Sequence, residues 1–162
     1  MTIISTKPFI ILMNNVIIFA DGGSRGNPGP AACGYVIYTP DVNVHPSTDA
    51  LLYALSSTPI HSGGDYLGVT TNNVAEWQGV IKALEWVKKN MEDVNQLFIF
   101  LDSQLVVKQI TGEYKVKQPH LKPLKQQVDQ LLKVCEYYEV QHVYRKDNAL
   151  ADEQVNIVLD NQ

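Results

Sequence analysis

Apolar residues fall in short runs over the first third of the chain and in a three-and-four rhythm beyond it. Residues 16–20 are a continuous apolar run closed by Asp21 and glycines, which predicts a buried strand. Residues 32–38 form a second run, and the Gly/Pro turn between the two predicts an antiparallel pair. Residues 39–49, with their prolines, aspartates and Asn43, predict a loop, residues 51–57 a third strand, and "HSGGD" a break after it. Then the period changes. Val74, Trp77, Val80, Ile81, Leu84 and Val87 recur at helical spacing behind Thr71 and Asn72, either of which can cap a helix start. Residues 96–102, "QLFIFLD", repeat the plan of the first strand, an apolar run ended by an acid. Residues 103–110 predict a short helix. Leu121, Leu124, Val128, Leu131, Leu132 and Cys135 mark a longer amphipathic helix, residues 140–144 a last strand and residues 148–159 a last helix. The predicted order is β-β-β-α-β-α-α-β-α. A three-strand meander followed by strands alternating with helices implies a mixed five-stranded α/β sheet flanked by helices.

The totals narrow the function without choosing it. The 162 residues suit one domain, and 45% hydrophobic against 19% charged residues suits a soluble globular one. A net charge of −4 argues against wrapping nucleic acid by bulk attraction, so any such contact must be local. Cys33 and Cys135 lie far apart and read as thiols in a reducing compartment, neither a bridge nor a metal pair. No apolar stretch is long enough to span a bilayer. The run at residues 9–13 is too short for a signal-peptide core and is interrupted by Asn14 and Asn15. These features predict a cytoplasmic monomer with no membrane and no obligate protein partner. Residues 1–12 read as an N-terminal extension to a domain over residues 13–162.

The candidate chemistry lies in the acids. Asp21 and Asp102 follow matching runs, "IIFAD" and "FIFLD", and residues past the carboxyl ends of strands in an open α/β sheet line its crevice. If the two strands are parallel neighbours, the carboxylates sit side by side and repel unless a cation lies between them. Oxygen-only ligands suit Mg²⁺ or Mn²⁺. The plainer alternative, that each aspartate only ends a strand, fits one such acid better than two. Glu76 and Asp152 could complete the set, although each could equally serve a helix dipole.

The blocks "FADGGSRGNPGPAACGYVIY", "TTNNVAEWQGVIKALEWV", "FLDSQLVVKQITGEYKVK" and "VYRKDNALADEQVN" resemble, in order and over residues 14–160, the signature blocks of type 1 ribonuclease H. The resemblance implies the ribonuclease H-like fold and a metal-dependent endonuclease that cuts the RNA strand of RNA–DNA hybrids, leaving 3′-OH and 5′-phosphate ends. It places the metal-binding, catalytic acids at Asp21, Glu76, Asp102 and Asp152, with Glu153 adjacent to the last. Two Mg²⁺ ions would bind with the substrate, Mn²⁺ being an alternative; one activates the attacking water and the other steadies the departing oxygen. Gly22 and Gly23 would let the backbone approach a sugar–phosphate strand. Asn72 and Gln104 would reach base or sugar groups across the minor groove, and Asn27, Thr71 and Asn73 the DNA strand. For Asn72, helix capping is a rival role.

Two departures from the family pattern stand out. Lys108, Lys115, Lys117, Lys122 and Lys125 face only Glu113 in their stretch, a local basic patch through which Lys115 and Lys117 would hold phosphates. The long basic protrusion of some relatives is absent, which implies the short form. The histidine that several relatives carry before the fourth acid is also missing from "RKDNAL", where Arg145 or Lys146 could stand in. A catalytically silent hybrid-binding module, or another nuclease of the same superfamily, are the alternative readings.

Overall fold

The computed structural model describes residues 14–162 except positions 43, 45 and 134, so the expected N-terminal extension lies outside the described residues. Its elements are β1 (Asn14–Ser24), β2 (Gly29–Tyr38), α1 (Ser47–Leu55), β3 (His61–Thr70), α2 (Asn72–Asn90), β4 (Val94–Leu101), α3 (Gln104–Ile110), α4 (Lys122–Leu132), β5 (Tyr137–His142) and α5 (Ala149–Asp160). The strands form one mixed sheet in the order β3-β2-β1-β4-β5. β1, β2 and β3 pair antiparallel, whereas β4 pairs parallel to β1 and to β5. The expected mixed sheet and meander are both present.

The third strand is not where the apolar run suggested. Residues 51–57 belong largely to α1 and the turn after it, and β3 is the glycine-rich segment that reads as a break. A short apolar run does not distinguish strand from helix. Here the helix buries Ala50 and Ala54, one turn apart, and leaves Leu52 exposed. β3 lacks an apolar run because it is an edge strand; its pairing with β2 from Gly29↔Thr70 to Ile37↔His61 holds it in place. The last strand also lies three residues earlier than expected at its start, beginning at Tyr137.

Each face of the sheet has its own core. Val16, Ile18 and Ala20 of β1 and Leu97, Ile99 and Leu101 of β4 pack with α2, α3 and α4, chiefly against Trp77, Val80, Ile81, Leu84, Val106 and Val128. The alternate residues Ile17, Phe19, Phe98 and Phe100 face the other way, towards α1 and Ala151 of α5. The period-two alternation of a strand makes this division obligatory. It also sets what comes next along β1 and β4.

Candidate active site

The last parallel pair between β1 and β4 is Ala20↔Leu101. The next residue of each chain is an aspartate, and each lies two positions beyond a phenylalanine of the same face, Phe19 and Phe100. Strand alternation and register alone therefore put Asp21 and Asp102 together at the sheet's edge. β1 does not end there, as its apolar run implied. It continues to Ser24 and pairs with β2 on its other side, with Asp21 opposite Gly34.

Glycines bring the other two acids in. A Cβ on Gly22 would lie 2.0 Å from the carbonyl carbon of Ala75, and one on Gly79 would lie 2.5 Å from the carbonyl oxygen of Asp21. Helix α2 thus rests directly on the backbone of β1 at the aspartate, and carries Glu76 to it from one turn before Gly79. On the opposite face, a Cβ on Gly34 would lie 2.5 Å from the carbonyl oxygen of Ala151 and 2.7 Å from the amide nitrogen of Val155. That approach sets Asp152 beside the same spot. Asn148, buried, locks the entry to α5 by donating its Nδ2 to the Ala20 carbonyl at 3.0 Å.

The result is a cleft of about 380 Å³ whose lining includes Asp21, Glu76, Asp102 and Asp152, together with Gly22, Gly23 and Asn72. Burial and the charge of Asp102 push the Asp21 carboxyl up to about 7, with smaller contributions from Asp152 and Glu76, against the pull of the Gly22 N–H that donates to Asp21 Oδ1 at 2.8 Å. Burial likewise raises Glu76. A hydrogen bond from Ser103 opposes this, Asp102 adds to it, and a second hydrogen bond from Asn72 opposes it. Among the described residues, no three His, Cys, Asp or Glu side chains are gathered tightly enough to hold an ion as they stand. The four acids face one space, and their neighbours occupy several of their oxygens. Ser103 Oγ donates to Glu76 Oε2 at 2.8 Å and Asn72 Nδ2 donates to Glu76 Oε1 at 3.1 Å. Arg145 Nη2 donates to Asp152 Oδ1 at 2.9 Å, and Asn156 Nδ2 to Asp152 Oδ2 at 3.2 Å.

The other expected contacts are more dispersed. Thr71, not Asn72, caps α2, accepting from the Val74 N–H at 3.3 Å. Asn72 instead joins three elements: its Oδ1 accepts from the Ser24 N–H, its own N–H donates to Asn27 Oδ1, and its amide reaches Glu76. Asn27 and Gln104 are exposed, and Asn73 is half-buried at the start of α2; none of them lines the cleft. Glu153 lies outside the cleft too, lining a different groove with Val36 and Leu150. Lys115 lines a separate depression with Tyr114, Lys122 and Lys125. Lys108 pairs with Glu113, and Lys125 with Asp129. Lys115, Lys117 and Lys122 have no ion-pair partner among the described residues.

Three residues of the site carry no signal that the spacing argument could use. Ser103 and Asn148 lie inside the motifs but act through hydrogen bonds to partners 27 and 128 positions away. Arg25, on the cleft wall, ties the glycine-rich turn to the end of α5 through the Leu159 carbonyl and the Asp160 carboxylate.

A family model described as reverse transcriptase-like matches residues 19–158. A bifunctional protein of Mycobacterium tuberculosis is 37% identical over 145 residues, which is 90% of this chain and 35% of that protein. The ribonuclease HI of Halobacterium salinarum is 35% identical over 143 residues, 88% of this chain and 63% of that one. The chain thus spans between about a third and two thirds of the length of these curated relatives. The crystal structure of ribonuclease H1 from Halobacterium salinarum superposes with a TM-score of 0.77 at 33% identity, covering 91% of this chain and 99% of that chain. That of LC11-RNase H1 in complex with an RNA/DNA hybrid superposes with a TM-score of 0.72 at 35% identity, covering 90% of this chain and 97% of its own.

Proposed function

This chain belongs to the type 1 ribonuclease H family, and on that premise we propose that it is an endonuclease hydrolysing the RNA strand of RNA–DNA hybrids. One observation carries the proposal: Asp21 is buried beside Asp102, in a cleft that Glu76 and Asp152 also line, so its carboxyl is held near 7. Such an arrangement is costly for a protein that only binds phosphates, because it repels them. It suits one that neutralises the acids with cations. The donor set is all oxygen, which fits Mg²⁺ and admits Mn²⁺. Asp21, Glu76, Asp102 and Asp152 would hold two such ions once the substrate phosphate is present. Bound there, the ions would supply an activated water and charge neutralisation at the departing oxygen, leaving 3′-OH and 5′-phosphate ends.

The rest of the work falls to the chain's own groups. Gly22 and Gly23 both line the cleft, but the space a Gly22 side chain would need is filled by Ala75 of α2; it is Gly23, beside Val155, that would let a sugar–phosphate backbone lie against the main chain. Asn72 and Gln104 offer amides to the minor groove, where the 2′-OH distinguishes RNA from DNA. Asn27, Thr71 and Asn73, outside the cleft itself, would meet the DNA strand. Arg145, already on Asp152, is the basic group this cleft provides where several relatives carry a histidine. No helix among the described residues is long and apolar enough to cross a membrane.

The direct test is cleavage of a labelled hybrid, of double-stranded RNA and of double-stranded DNA with Mg²⁺, Mn²⁺ or EDTA. Cutting of the hybrid's RNA strand that EDTA abolishes is expected. Tight hybrid binding with no cutting under any ion would identify a silent binder instead. The lysine patch gives a further expectation. Replacing both Lys115 and Lys117 by alanine should weaken hybrid binding evenly across sequences. Measured in EDTA over a salt series, the slope of log affinity against log salt should fall by about one for each lysine lost. An unchanged slope would show that the patch does not touch the duplex.

A further inference from the structure

Glu76 differs from the other three acids in that both its oxygens are taken by neutral donors from two different elements. Ser103 Oγ holds Oε2 at 2.8 Å, and Asn72 Nδ2 holds Oε1 at 3.1 Å. The two donors are not equivalent. Ser103 is the N-cap of α3, accepting from the Val106 N–H at 3.4 Å, and sits directly after Asp102. It is fixed by a helix start and has no reason to move when substrate arrives. Asn72 is at the cleft wall, one of the residues that would face the RNA strand, and its amide is the group a sugar or base edge would claim. Its remaining bonds, to the Ser24 N–H and to Asn27, lie on the glycine-rich turn that would meet the same substrate.

We propose that Ser103 and Asn72 are positioning residues that act through Glu76 in opposite senses: Ser103 aims the carboxylate at the cation site permanently, while Asn72 holds its second oxygen back until the RNA strand takes the amide away. Cation binding at Glu76 is then coupled to hybrid binding, and a free cation in the absence of hybrid meets an incomplete ligand set. This inference rests on the nuclease reading for its purpose, but its geometry and its test do not. A carboxylate ligand needs its own hydrogen-bonded support to stay aimed, and loss of such support commonly costs tenfold or more in metal affinity. A donor competing for a ligating oxygen has the reverse effect.

The test is Mn²⁺ alone, titrated calorimetrically into the protein without hybrid. Ser103→Ala should weaken Mn²⁺ binding about tenfold. Ser103→Thr, which keeps the hydroxyl, should restore it. Asn72→Ala should strengthen binding about tenfold, as expected when one hydrogen bond to a charged carboxylate is removed. Both effects should vanish in a Glu76→Gln background. If the Ser103→Ala effect persists undiminished beside Glu76→Gln, Ser103 is only a helix cap and the inference is overturned. It is overturned equally if Asn72→Ala weakens Mn²⁺ binding. Should Ser103→Ala fail to fold, the sign of the Asn72→Ala change decides alone. Failure of the wild-type protein to cut hybrid would overturn the nuclease reading and leave this titration unaffected.

Discussion

The Asp21→Asn variant should lose hybrid cleavage by about a thousandfold or more and yet, without divalent ions, unfold at higher denaturant concentration than the wild type. The first effect follows if Asp21 holds the ions that act in the transition state, where each factor of ten is worth about 1.4 kcal/mol. The second follows from the same burial. A carboxyl whose folded pKa stands near 7 against an ordinary 3.8 binds its proton more tightly folded than unfolded. The penalty is absent below about pH 4, grows as pH rises between the two values, and is complete above about pH 7. Asparagine removes the charge and can keep the acceptor for the Gly22 N–H. The variant should therefore gain on the order of 1–4 kcal/mol at pH 8, shrinking towards nothing near pH 4. Urea unfolding in EDTA across that range measures it. Mg²⁺ at pH 8 should narrow the gap by stabilising the wild type. Asp102→Asn should likewise abolish cleavage. Mg²⁺-dependent activity surviving in either variant would falsify the assignment of these two acids.

Gly79→Ala should be among the most damaging single substitutions in the protein, contrary to what its place in a helix suggests. In the middle of an ordinary helix, replacing glycine by alanine stabilises by about 1 kcal/mol. Here the added methyl would meet the Asp21 carbonyl oxygen at 2.5 Å, a backbone atom that cannot swing aside. Relief requires moving α2 off β1, opening the core around Trp77 and Val80. A loss of about 3 kcal/mol or more is expected from such overpacking, read as a lowered urea midpoint. Cleavage by whatever folds should fall as well, because Glu76 travels with the helix. A midpoint equal to or above that of the wild type would mean that helix and strand do not touch as described.

Which parts of this molecule can be read from its residues follows from how far each signal reaches. β1, β4, α2 and α5 carry runs or periodicities inside one element, and the matched endings "IIFAD" and "FIFLD" carry the register of two neighbours. Asp21 and Asp102 were therefore legible as a pair. Glu76 and Asp152 are legible from their places near helix starts only as candidates with a rival dipole role, and the family resemblance selects them, since what brings them in is the absence of side chains at Gly22, Gly79 and Gly34. A glycine's meaning depends on a partner that the local sequence does not name. β3 was missed because an edge strand needs little apolar surface, and α1 because five apolar residues fit either state. Ser103 and Asn148 were unreadable for the same reason as the glycines: their hydrogen bonds cross from one element to another.

The main-chain contacts on both sides of β1 and β2 also bear on how the protein should behave on warming. Where a helix rests on a strand through side chains, the side chains can soften and let a site blur before the domain melts. At Gly22, Gly34 and Gly79 there is no such cushion, so the acids are mounted where main chain rests on main chain. Catalytic geometry should persist intact up to the cooperative transition and disappear with it, so that turnover climbs with temperature until the melting curve itself cuts it off.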